Sequence, residues 1–467
     1  MQTPCNATQT SWTPLGRREI VSAFDGGHVS SDGGLLLLRD VAQRSKIFER
    51  FEACFLDFRD ERRIRFTVGE LLAQRVLGII CGYEDVADHD TLRTDPLLAL
   101  AAGRKEVLPT DDNWALAGHA TLHRLEHTRS EVDPRRPDLK IVHEPGAIED
   151  FFVDFYLDSH EEPPESIMLD LDATDDIVHG NQEGRFFHGY YGNYCYLPLY
   201  IFAGDHLLVS KLRPANIDGA AGALEELQRV ISRIRCRWPK VEICIRADSG
   251  FCRDAILSWC EAEKVGYVIG LARNARLEKE VEDEMTQAKA EAERTRIPVR
   301  SYKELVYATK DTWTCPRRVV AKVEALVGKG NPRFVVTNIP MDKLGAKVLY
   351  EDVYCARGDM ENRIKEQQLG LFADRTSAHS MRANQLRLWF SSVAYVLLHE
   401  LRRIGLRGTE LATAQVSTIR TRLLKVGAIF HQSVRRIKVS LSSAFPFQDV
   451  WQTAQAQIGA TNWNCGM

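Results

Sequence analysis

The stretch Ile167-Met168-Leu169-Asp170-Leu171-Asp172-Ala173-Thr174 reads as a β-strand that turns acidic at its end. Side chains alternate along a strand, so Asp170 and Asp172 share one face while Leu169 and Leu171 share the other. Either acid can point into a cleft, and the sequence leaves both open. A second strand, Val241-Glu242-Ile243-Cys244-Ile245, leads through Arg246-Ala247 into Asp248-Ser249-Gly250. A third motif, Tyr354-Cys355-Ala356-Arg357-Gly358-Asp359-Met360-Glu361, is of another kind. Tyr354, Arg357, Glu361, Lys365 and Gln368 recur at spacings of three and four, which gathers them on one helical face with cations on both sides of Glu361.

Three separated acidic positions point to one divalent-metal site. Hard cations such as Mg²⁺ take carboxylate oxygens and fill their remaining positions with water and substrate phosphate. Two such ions about 4 Å apart serve both the attacking and the departing oxygen of an in-line displacement. Taken singly, each motif has a plainer explanation. Acids at strand ends form turns and caps, and an Arg-Glu-Lys ladder at helical spacing contributes a few tenths of a kcal/mol. Three motifs in this order, each with its own local pattern, favour metal-assisted phosphoryl chemistry.

The order D-x-T, then R-A-D-S-G-F, then Y-x-x-R-G-x-x-E-N-x-I-K-E resembles the DDE transposases of bacterial insertion sequences, in the subgroup with a Y-R-E-K signature. The likeness runs from about Trp12 to Pro446 and includes Gly180-Asn181-Gln182-Glu183-Gly184, Tyr194-Cys195-Tyr196-Leu197-Pro198-Leu199 and Gly266-Tyr267-Val268-Ile269-Gly270-Leu271-Ala272-Arg273-Asn274. The resemblance implies an α/β fold: an RNase H-like mixed-sheet catalytic core with a β-rich insertion and a mainly helical N-terminal domain. It implies Asp172, Asp248 and Glu361 as catalytic metal ligands for two Mg²⁺ ions, with Mn²⁺ as a substitute, and Tyr354, Arg357 and Lys365 as DNA contacts. The signature's lysine falls at Gln368, and Lys365, one turn from Glu361, is the residue that would replace it. The implied partners are terminal inverted repeats and target DNA, handled by a homodimer in a synaptic complex.

Chain order agrees with a mixed sheet. Strand-like runs at Tyr194–Phe202 and His206–Leu212 precede a helical pattern from Ile217 to Arg235 and then the strand into Asp248. Residues 1–150 read as a mainly helical domain beyond an irregular start, with a capping box at Thr67-Val68-Gly69-Glu70 opening a run to Ile80 and more helical pattern from Asp90 to Ala102. By the resemblance this domain binds the terminal repeats. Residues 151–275 form the first part of the core, entered through the Pro-rich Glu161–Glu165, and 346–405 the second part with the glutamate helix. Residues 276–345 form the β-rich insertion, a charged helical stretch from Leu277 to Arg294 and then strands at Arg317–Val323 and Arg333–Thr337. In similar transposases that insertion covers the active site, where Trp313 is a candidate to stack on an unpaired base. Residues 406–467 form a basic C-terminal region.

At 467 residues and 44% hydrophobic, the chain can bury a large core in two or more domains. No apolar run is long enough to span a bilayer, and Leu388–Leu398 reads as a buried helix. Met1–Asn6 lacks the pattern of a secretory leader, so the expected location is cytoplasmic. Eleven cysteines without a C-x-x-C pair suit reduced thiols. His119, His123 and His127 recur at helical spacing, but no cysteine completes a zinc tetrahedron. The net charge of −3 does not announce a DNA binder. Its distribution is more telling, because Met381–Leu441 carries eleven basic residues against Glu400 and Glu410, a local +9 suited to phosphates. Two other classes use the same residues. A metal-dependent DNA nuclease would release cut ends without joining them, and a catalytically silent transposase-derived protein would bind repeats without cutting. No G-x-x-x-x-G-K-[ST] run supports a P-loop ATPase.

Overall fold

The computed structural model describes residues 9–108, 114–133, 135 and 139–461. The leader reading at Met1–Asn6 lies outside them. The described residues form two compact units, one from 9–143 and 393–461, the other from 144–392.

The second unit is built on a nine-stranded mixed sheet. Its strands are β1 (Ser166–Ala173), β2 (Leu199–Ala203), β3 (His206–Lys211), β4 (Glu242–Ala247), β5 (Gly266–Leu271), β6 (Val299–Tyr307), β7 (Arg317–Leu326) and β8 (Arg333–Thr337), in the order β3-β2-β1-β4-β5-β8-β7-β6, with Lys329–Gly330 beside β7. Strands β1, β4 and β5 run parallel, while β2 and β3 on one side and β8, β7 and β6 on the other are antiparallel to their neighbours. The strands at Arg317–Leu326 and Arg333–Thr337 therefore extend the same sheet through β5. The Tyr194–Phe202 run is two strands, Asn193–Tyr196 and Leu199–Ala203. Pro198, which has no N–H to donate, lies between them.

Period-two alternation divides the sheet into two faces. Ile167, Leu169 and Leu171 of β1, Ile243 and Ile245 of β4, and Tyr267 and Ile269 of β5 enter the main core together with Leu227, Val230, Ile231 and Ile234 of helix α1 (Ala223–Arg237). The apolar residues of α1 fall at three- and four-residue intervals, which gives one continuous stripe to bury. On the other face Val268, Val320 and Val335 pack with Leu349 and Tyr350. This second cluster lays the segment that leads to Glu361 against the face of the sheet that carries Asp170 and Asp172.

The first unit holds the helices Leu35–Ser45 and Val68–Cys81. The latter opens with the capping box foreseen, the Glu70 N–H donating to Thr67 Oγ1 at 3.1 Å and the Thr67 N–H to Glu70 Oε2 at 2.9 Å. The irregular start contains a hairpin, Thr10–Leu15 with Arg18–Ser22, that leaves Trp12, Leu15, Ile20 and Val21 exposed. Several basic residues of 381–441 do structural work here. Arg420 donates to the carbonyls of Ile79 and Ile80 at the end of the Val68–Cys81 helix, and Lys425 pairs with buried Asp32 at 2.6 Å. Arg407, Arg422, Arg435, Arg436 and Lys438 are exposed. His119 pairs with Asp90 at 2.6 Å, and the His123 and His127 rings stack at 4.0 Å. The nine described cysteines are free thiols. Among the described residues no helix is long and apolar enough to cross a membrane, and Leu388–Leu398 is buried throughout.

Candidate active site

Asp172 sits in the last turn of pleat of β1, and Asp248 is the first residue past β4, its parallel neighbour. The carboxyl ends of adjacent parallel strands open into a crevice where α/β sheets bind ligands. Asp248 also shapes its own turn, its Oδ1 accepting from the Gly250 N–H at 2.8 Å, which caps the tight helical turn Ser249–Phe251. Glu361 lies on helix α2 (Gly358–Lys365), which buries Met360 and Ile364 on its inner side. Asp172, Asp248, Arg357, Glu361, Lys365 and Gln368 line one cavity of about 550 Å³.

Two carboxylates share one guanidinium. Arg357 Nη2 is 2.6 Å from Glu361 Oε1, and its Nη1 is 3.5 Å from Asp172 Oδ2. The side chain of Asp172 is only 16% exposed, and burial pushes its carboxyl up to about 7 against the opposing pull of Arg357, with the negative charges of Asp248 and Glu361 adding to the rise.

The two aspartates of β1 have separate environments. Asp170 is buried and faces Arg246 of β4 in register, accepting from its Nε at 2.6 Å and its Nη2 at 2.8 Å. The third nitrogen of Arg246 donates to the Val353 carbonyl, tying the glutamate-bearing segment to the sheet. Asp170 is engaged in that fork and does not line the cavity, whereas Asp172 does.

Tyr354, Arg357, Glu361, Lys365 and Gln368 do not lie on one regular helix. π-type turns at Leu349–Tyr354 and Glu366–Gly370 and a 3₁₀ turn at Cys355–Arg357 flank α2. Such irregular turns cluster at functional sites. The hydroxyl of Tyr354 lies over Gly270 of β5, where a Cβ would come within 2.6 Å of it and within 2.9 Å of the Ser249 nitrogen. Burial raises the Tyr354 phenol, with Asp248 adding to the rise. Tyr354 thus meets β5, the strand beside the one that delivers Asp248, and does not line the cavity. Lys365 lines it and is exposed. Gln368, in the signature lysine's place, donates from Nε2 to buried Asp176 Oδ1 at 2.8 Å and to the Asp175 carbonyl at 3.2 Å. Trp313 packs against the main core, edge-on to Tyr307 and beneath Arg317.

Residues missed in the sequence reading are His188, Tyr190 and Tyr191, which line the same cavity. The local signal was present as His188-Gly189-Tyr190-Tyr191-Gly192, a turn whose ends are glycines and whose centre is aromatic.

A sheet that delivers two aspartates to one crevice and a helix that brings a glutamate to meet them gather three carboxylates in one cavity. Residues 12–463 match the family described as Transposase DDE domain group 1, and the chain belongs to that family. It is accordingly a DDE-type DNA transposase, an enzyme whose partner is DNA and whose family depends on a divalent metal. Among solved structures it is similar to a piggyBac transposase synaptic complex with hairpin DNA, at a TM-score of 0.40 and 11% identity, over 85% of this chain and 80% of that chain. No curated protein matches.

Proposed function

We propose that this transposase serves an insertion sequence, cutting the element's ends and joining them to target DNA, with Asp172, Asp248 and Glu361 as its metal ligands and Asp170 as a structural acid. The observation that carries this reading is the meeting of Asp172, Asp248 and Glu361 in one cavity around Arg357. The donor set fits the group the family requires, since three carboxylates lining one cavity make an oxygen-only cluster that suits Mg²⁺ or Mn²⁺. When bound, a pair of such ions supplies charge stabilisation to the attacking and leaving oxygens.

The residues of the chain do the rest. Arg357 pairs with both Asp172 and Glu361, and its guanidinium fork would receive the substrate phosphate at the same place. Tyr354 packs its hydroxyl over Gly270 of β5, and Lys365, in place of the signature lysine, adds a cation at the cavity wall. Water opens the strand at the element's end, and the freed 3′-hydroxyl then attacks a target phosphate with no covalent enzyme intermediate.

We read the sheet as RNase H-like, supported by antiparallel β3-β2-β1 followed by parallel β4 and β5. In the same reading the chain belongs to the Y-R-E-K subgroup, residues 1–150 bind the terminal repeats, and 276–345 extends over the active site. The exposed arginines of the C-terminal region contact phosphates, and the protein works in the cytoplasm as a synaptic homodimer. The test is mobilisation of a marked element with its native ends, by the intact protein and by Asp248→Ala and Glu361→Ala. Movement by the intact protein alone is expected, and unchanged movement by either variant sinks the assignment.

A further inference from the structure

We propose that Gln368 is a positioning residue for the metal ligands. Its amide ties the end of the Asp172 strand to the segment that carries Glu361, and so sets the spacing at which those two acids meet a cation. The inference rests on the reading above, that Asp172 and Glu361 are metal ligands.

The tie runs beside the cavity. Gln368 lies seven residues beyond Glu361, in the π-type turn Glu366–Gly370 that follows α2, and it lines the cavity. Asp175 and Asp176 lie three and four residues beyond Asp172, just past β1. From Nε2, Gln368 donates to Asp176 Oδ1 at 2.8 Å and to the Asp175 carbonyl at 3.2 Å.

Both ends of the tie are anchored. Asp176–Ile177 pairs with the strand Asn193–Tyr196, with Asp176 opposite Tyr196. Tyr196 is fully buried, and its hydroxyl donates to the Glu183 carbonyl at 2.5 Å. On the other side, buried Gln367 donates from Nε2 to Ser392 Oγ at 3.0 Å, and its carbonyl accepts from the Ala373 N–H at 3.1 Å. A hydrogen bond between groups held in this way passes on a fixed distance to the ligands beside it.

Asp176 depends on this donor. It is fully buried, its Oδ2 has no hydrogen-bond partner among the described residues, and Asp374 and Asp175 add negative charge around it. Burial pushes its carboxyl up to about 7, and the Gln368 amide opposes the rise. Losing the amide would leave a second buried oxygen unpaired, which is costly where water cannot replace it. Arg357 cannot serve the same purpose. Its guanidinium pairs with Asp172 and Glu361 themselves, so a cation competes with it for the same oxygens. Gln368 hydrogen-bonds to neither ligand, and its tie stands whether or not those acids hold metal.

The experiment titrates the purified full-length protein with Mn²⁺ alone in a calorimeter, with no DNA present. Gln368→Met removes the donor at similar volume, Gln368→Asn keeps an amide but falls a methylene short, and Asp176→Asn keeps the acceptor oxygen while removing its charge. Both Gln368 variants are expected to bind Mn²⁺ about tenfold more weakly than wild type, in the range usual for lost partners of metal ligands, and Asp176→Asn to bind as wild type does. A role confined to stability would lower the urea midpoint of the Gln368 variants and leave the Mn²⁺ affinity of the folded protein unchanged, and that result overturns the proposal. Weak binding by Asp176→Asn also overturns it, because charge and not the hydrogen bond would then set the affinity. Either result leaves the transposase reading in place. Equal Mn²⁺ binding by wild type and Asp172→Asn overturns both, since the cavity would then not be the metal site.

Discussion

Replacing Asp172 by Asn should stabilise the metal-free protein while abolishing its chemistry. Burial lifts the Asp172 carboxyl from 3.8 to about 7. A carboxyl whose folded pKa lies above its unfolded value holds its proton more tightly when folded. The unfolded chain releases that proton first as pH rises, so stability falls between about pH 4 and 7 and stays low above 7. At about 1.36 kcal/mol per pH unit, this one group costs at most about 4 kcal/mol at pH 8. Asp172→Asn has no proton to lose and escapes the penalty. Urea unfolding in chelator should therefore give similar midpoints for the two proteins near pH 4 and a more stable variant at pH 8. Asp170→Ala should do the opposite. It leaves the Arg246 guanidinium buried without its carboxylate, at a cost of about 3 kcal/mol, without removing a cavity acid. Parallel stability curves for wild type and Asp172→Asn from pH 4 to 8 would refute the claim that burial penalises the charged carboxylate at this residue.

Two further outcomes follow from contacts around the site. Gly270→Ala puts a methyl 2.6 Å from Tyr354 Oη and 2.9 Å from the Ser249 N–H, so the Asp248 turn must shift; strand cutting should drop at least tenfold with little change in DNA retention on a gel. Gln368→Ala removes the donor to buried Asp176, and urea unfolding at neutral pH should show a loss of about 1–3 kcal/mol.

The two aspartate strands were legible because parallel strands buried on a large sheet show an apolar alternation that acids can interrupt only at the ends, as in Leu169-Asp170-Leu171-Asp172. What alternation could not do was choose between two acids on one face. The choice turns on Arg246, which lies opposite Asp170 only once β1 and β4 pair in parallel register. The helical ladder from Tyr354 to Gln368 differs in geometry from the regular helix its spacing predicts, because π-type turns follow from packing on the sheet and leave no mark on three-and-four spacing. The basic count over 381–441 likewise overstated the free charge, since Arg420 and Lys425 spend theirs inside the first unit. Tyr190 and Tyr191 were passed over because a glycine-flanked aromatic pair signals a turn, and only the tertiary fold carries that turn to the acids.

The most direct test of the central claim is in vitro. Purified protein, a labelled element end and a target plasmid are incubated with Mg²⁺, and free 3′-ends and joined products are counted for wild type, Asp172→Asn, Asp248→Asn and Glu361→Gln. The account predicts cut and joined DNA with wild type and neither product with any single variant that still binds the end. Joined products from the Asp172→Asn protein would contradict it.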